Sequence, residues 1–181
     1  MLLLPAALAT ACALSCNAWA AKAHEHGVAR LELGVEAGRI TLTLEVPLED
    51  LVGFERAPRD DAERAAVAGV LARLRDVGRL VRIDAAAGCA AGQAELTAPL
   101  WNVPPGGASA TAAAAGKADS HGDLEAHYEF RCTTGARAGH VEIGLFDALP
   151  RLRRIDVLAV TPRGQMKVVL RRPQARIGLA R

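Results

Sequence analysis

Five histidines carry most of the chemistry that this sequence offers: His24, His26, His121, His127 and His140. Two of them form His24-Glu25-His26, and in an extended segment residues two apart project to the same side. Both imidazoles can then reach one ion. Neutral imidazole suits zinc, copper or nickel, and the intervening Glu25 can neutralise charge or orient a ligand. Farther along, His121 and Asp123 open a predicted strand whose outward face also carries Glu125 and His127. The expected metal donors are therefore His24, His26, His121, Asp123 and His127, with His140 read as structural. The same spacing also fits idle histidines on a solvated terminus and a wet strand, because no compact four-ligand pattern is present.

Other chemistries are poorly provided for. Beyond the first twenty residues the only serines are Ser109 and Ser120, and no Gly-x-Ser-x-Gly elbow surrounds either. Gly116-Lys117 has the look of a phosphate loop, but Ala118 stands where Ser or Thr must bind magnesium, and Thr111 replaces the first glycine. The expectation is a protein that is not an enzyme. Twenty-two basic and 20 acidic residues are interspersed, giving a net charge of +2, and aromatics make up 3% of the chain. Without a basic stripe or stacking platforms, nucleic acid is not an expected partner.

The amino terminus reads as an address. Met1 to Ala20 has no charged residue, carries an apolar run from Leu2 to Leu14, and ends in Ala18-Trp19-Ala20, as a secretory signal does. That run is shorter than the ~20 residues a bilayer-spanning helix needs. Cys12 and Cys16 raise a lipoprotein alternative, although the usual Leu three places before the cysteine is missing at Cys16. A second small-x-small triplet, Ala21-Lys22-Ala23, offers a cut that would leave His24 with a free amine, a chelate suited to copper(II). Removing the leader leaves about 160 residues, one ordinary domain. It also leaves two cysteines, Cys89 and Cys132, expected to pair in an oxidising compartment; separate buried thiols are the alternative.

These residues need a scaffold. Leu31, Leu33 and Val35, then Ile40, Leu42, Leu44 and Val46, alternate around Glu36-Ala37-Gly38-Arg39, which predicts a β-hairpin ended by Pro47. From about Asp60 to Val77 the chain predicts a helix, capped by Asp60 with Glu63 completing a capping box and ended by Gly78. Val67, Val70, Leu71 and Leu74 form its apolar stripe, and Gly69 suggests close packing on the sheet. Short strands follow at Gly88–Leu96, Asp123–Cys132, Val141–Leu145, Ile155–Ala159, Lys167–Leu170 and Ile177–Leu179. Pro104-Pro105-Gly106-Gly107 and an alanine-rich run predict a flexible loop at about 101–120. The sum is a single α+β domain: an antiparallel sheet of about seven strands with one principal helix.

Several blocks resemble the zinc-regulated periplasmic proteins of the ZrgA type, many of them catalogued only as a domain of unknown function. The likeness lies in His24-Glu25-His26-Gly27-Val28-Ala29, in Leu51-Val52-Gly53-Phe54-Glu55 with Ala57-Pro58, and in Ala87-Gly88-Cys89. It continues through His121-Gly122-Asp123-Leu124, Tyr128-Glu129-Phe130 with Cys132, Leu145-Phe146, Pro150, Ile155, Gly164 and Gln165. The resemblance implies a periplasmic zinc-binding protein, some relatives assisting an ABC-type zinc-uptake transporter or its binding protein. His24, His26 and His121 match the family's positions. The loop before His121 departs from it: Gly, Ala, Ser and Thr stand where relatives often carry His and Asp, which implies lower zinc capacity. Two other readings stay open, a metal-free interaction module of the envelope and a hydrolase using His121 and Asp123.

Overall fold

A computed structural model describes residues 25–104 and 122–179. The expected leader, His24, His121 and most of the predicted 101–120 loop lie outside the described residues. The alternating apolar run folds as anticipated. β1 (Val28–Val35) and β2 (Arg39–Pro47) pair antiparallel, with Leu31 opposite Leu44 and Leu33 opposite Leu42. All the inward residues of this hairpin are buried.

α1 (Leu48–Val52) follows Pro47 directly and has no counterpart in the sequence reading. α2 (Asp61–Arg75) is the principal helix. The Asp60 carboxylate accepts from the Glu63 N–H at 2.8 Å, as an N-cap should. Glu63 does not return the bond to Asp60: its carboxylate accepts instead from the Arg59 N–H at 2.7 Å and from both ends of the Arg56 guanidinium at 2.6 Å. Val67, Val70, Leu71 and Leu74 are buried, as their spacing requires. Gly69 is not packed on the sheet. A Cβ there would meet nothing nearer than the Arg73 guanidinium at 3.7 Å. The helix stops at Arg75, and Gly78 lies within a separate turn, α3 (Val77–Leu80), rather than ending α2.

The remaining elements are β3 (Val81–Ile83), β4 (Gln93–Thr97), β5 (Asp123–Arg131), β6 (His140–Ile143), α4 (Leu145–Ala148), β7 (Arg154–Thr161), β8 (Gly164–Arg171) and β9 (Arg176–Gly178). The described residues thus hold nine strands, in a six-stranded sheet ordered β4-β5-β2-β1-β7-β8 and a three-stranded sheet ordered β3-β6-β9. No sheet has the seven strands expected. Neighbours are antiparallel except β1 and β7, which run parallel as the fourth and fifth strands of the larger sheet. That pairing joins segments more than a hundred residues apart, and no local pattern encodes it.

One face of the large sheet forms the core. Ala29, Leu31, Leu33, Ile40, Leu42, Leu44, Leu124, Ala126, Tyr128, Ile155, Val157 and Ala159 are all at most 3% exposed. α2 covers this face, and the Tyr128 hydroxyl donates to the Leu74 carbonyl at 3.2 Å, a buried bond from sheet to helix. Burial pushes the Tyr128 phenol above its ordinary range, so it stays a donor. Cys89 and Cys132 form a disulfide, tying the segment before β4 to the end of β5. His140 packs structurally, with Nδ1 3.4 Å from the Asp84 carboxylate. The Ala86 and Gly139 N–H groups hold that carboxyl below its usual range. Trp101 is buried and donates to the Arg56 carbonyl at 3.2 Å, so the start of the predicted loop belongs to the core. Among the described residues, no helix is long and apolar enough to cross a membrane.

Candidate metal centre

At the end of the large sheet where β1 starts and β5 starts, three donors converge. His26, Glu49 and Glu55 each present a ligand atom, and the three atoms lie within 4.8 Å of one another. His26 Nε2 is 3.4 Å from the nearer Glu49 oxygen. All three side chains are exposed. The elements that bring them together are short. Glu49 sits in the first turn of α1. Gly53 ends α1 in the left-handed region at φ 92°, its N–H donating to the Glu49 carbonyl at 2.8 Å, and the reversal returns Glu55 to the same side. The Arg151 guanidinium lies over Gly53, where a Cβ would come within 2.9 Å of it. Glycine adopts that dihedral without the strain a side chain would bring.

The segment carrying His26 is a turn, not the extended strand that the His24-Glu25-His26 spacing suggests. Gly27 has φ 80°, and the Val28 N–H donates to the Glu25 carbonyl at 3.2 Å. Glu25 does not face the cluster's ligand set: its carboxylate pairs with the Arg154 guanidinium at 2.7 Å. The Gly27 N–H donates to the buried Asp50 carboxylate at 2.7 Å. The Gly27 carbonyl accepts from the Arg153 and Arg154 N–H groups at 2.8 and 3.0 Å. The Arg153 side chain adds a bond to the His26 carbonyl at 2.7 Å.

Among the described residues, His26 is the one expected donor that enters this group. His24 and His121 lie outside the described residues; in sequence they stand two residues before His26 and one before Gly122. Gly122 itself borders the cluster, since a Cβ on it would lie 3.3 Å from a Glu55 oxygen. Asp123, expected on the outward face of its strand, is 4% exposed at the point where β5 pairs with Pro47. His127 lies four residues up β5, about 13 Å from Asp123 at ordinary strand rise. It occupies the uncovered face of the sheet, with Nδ1 3.3 Å from the Thr43 hydroxyl and Glu95 opposite it on β4. Glu49 and Glu55 were not expected as donors, because lone glutamates are common, although Glu55 closes the block Leu51-Val52-Gly53-Phe54-Glu55. A further signal was the Leu51-Val52-Gly53 stop between them.

One imidazole nitrogen and two carboxylate oxygens are a donor set that zinc accepts, at bond lengths of about 2.0–2.2 Å. A tetrahedral site of that size spaces its donors about 3.4 Å apart. The exposed side chains need close by little more than an ångström to meet it, which ordinary rotamer changes provide. Among curated proteins, none matches the chain. A family model described as ZrgA family zinc uptake protein matches residues 23–179. That span includes His26, Glu49 and Glu55 and nearly all of the chain, which therefore belongs to the ZrgA family of zinc uptake proteins.

Proposed function

We propose that this chain is a periplasmic accessory protein that binds zinc and holds or delivers it to an ABC-type uptake system, with no catalysis of its own. The observation that carries the reading is the meeting of His26, Glu49 and Glu55 in a member of a zinc-uptake family. Three protein donors leave a fourth tetrahedral position open, and an exposed, incompletely enclosed ion exchanges more readily than one in a closed structural site. Such a site suits transfer rather than storage. We assign that fourth position to exchangeable donors, with His24 and His121, which stand two residues before His26 and one before Gly122 in sequence, taking it in turn with water. The leader-like first twenty residues support export.

Calorimetric titration of the leaderless protein with zinc at neutral pH tests the reading. Binding is expected in the wild type and about tenfold weaker or worse in His26→Ala and in the double change Glu49→Gln, Glu55→Gln. Identical titrations across these proteins would remove the site. Delivery is tested by mixing zinc-loaded protein with the binding protein of a zinc ABC transporter and following the metal. Zinc that stays put under conditions where the acceptor binds free zinc would count against hand-over.

A further inference from the structure

We infer that Asp50 is a positioning residue that builds the zinc site before the metal arrives; this rests on the reading of His26, Glu49 and Glu55 as the ligands. Asp50 is 6% exposed, a rare setting for a carboxylate that is not used. Its carboxylate takes a hydrogen bond across 23 residues of sequence, from the Gly27 N–H to Asp50 Oδ2 at 2.7 Å, in a buried setting. The two bonded residues are the immediate neighbours of two ligands: His26 precedes Gly27, and Glu49 precedes Asp50. A single short, charge-assisted bond therefore fixes the backbone of the imidazole donor relative to that of a carboxylate donor.

The other side of the same peptide is held just as firmly. The Gly27 carbonyl takes two backbone N–H groups from Arg153 and Arg154, and the His26 carbonyl takes the Arg153 guanidinium. Arg153 also occupies the space beside Gly27 that any Cβ would need. The turn is thus clamped between α1 on one side and the start of β7 on the other. A ligand whose backbone is fixed loses less freedom on binding metal, so the clamp raises affinity without touching the ion. Sequence offered no sign of this, because Asp50 sits among ordinary acids in Glu49-Asp50.

Zinc titrations of wild type, His26→Ala, Asp50→Ala and Asp50→Asn test the inference, with near-ultraviolet circular dichroism to confirm the fold. Asp50→Ala is expected to bind zinc about tenfold more weakly or worse, while Asp50→Asn, whose amide oxygen still accepts the Gly27 N–H, recovers most of the affinity. Asp50→Ala binding as tightly as wild type, or Asp50→Asn as weak as Asp50→Ala, overturns the positioning role. Equal binding by wild type and His26→Ala would instead remove the underlying site. Amide exchange of Gly27 in zinc-free wild type gives a measurement that needs no variant to fold. Protection without metal supports a preformed turn, and exchange at the unprotected rate refutes it.

Discussion

Zinc and protons compete for the same lone pair on an imidazole. Metal affinity should therefore drop steeply below about pH 6, while calcium-like, purely carboxylate binding would persist to lower pH. Zinc titrations at pH 7.5 and 5.5 distinguish the two, and an unchanged affinity would argue that His26 is not a donor. A second residue-scale prediction concerns Glu63. Bonds from the Arg56 guanidinium and then from the Arg59 N–H push its carboxyl down from 4.5 to about 2. The folded value lies below the unfolded one, so the stabilisation is complete above pH 4.5 and fades as pH falls toward 2. Urea midpoints of wild type and Glu63→Gln should differ at pH 6 and converge near pH 2. A constant difference across that range would contradict the pairing.

Elements differ in how plainly the sequence announces them. β1, β2, β5 and α2 are long enough for period two or 3.6 to show, and the residues at those periods, such as Leu31, Leu42, Leu74 and Tyr128, are the buried ones. α1, with five residues behind Pro47, is too short to have a period, yet it supplies Glu49 and Asp50. The site was legible at His26 and hidden at Glu49 and Glu55, because Gly53's left-handed turn and a contact between distant segments create their proximity. The burial of Asp123 was hidden for a related reason: alternation predicts direction within a strand, not what covers its first residue. Docking of α2 on the sheet makes a prediction at this scale. Tyr128→Phe loses the buried bond to the Leu74 carbonyl and should cost about 1 kcal/mol in urea unfolding, with zinc affinity unchanged. No loss of stability would mean the hydroxyl finds no net benefit there. The clamped turn predicts more: Gly27→Ala must strain φ 80° and displace Arg153, so it should lower both the melting temperature and zinc affinity.

Across the whole molecule, the disulfide and the metal cluster sit at opposite ends of β5, about 30 Å apart at ordinary strand rise. The two should behave independently. Cys89 and Cys132 are 43 residues apart in sequence, a loop whose closure is worth about 4 kcal/mol on the chain-entropy model. The double change Cys89→Ala, Cys132→Ala should lower stability by roughly that order while leaving zinc affinity intact; a matching loss of metal binding would show that the ends are coupled. The parallel partnership of β1 with β7 reaches further still. β1 lies between β2 and β7, so the first hairpin to emerge from a ribosome or a translocation pore carries one bare edge until residue 154 has followed it. Such long-range closure slows folding and leaves a sticky strand waiting. A newly made chain is thus most vulnerable to aggregation in the interval before β7 arrives, and it is that interval, more than the finished protein, that a holding chaperone would have to guard.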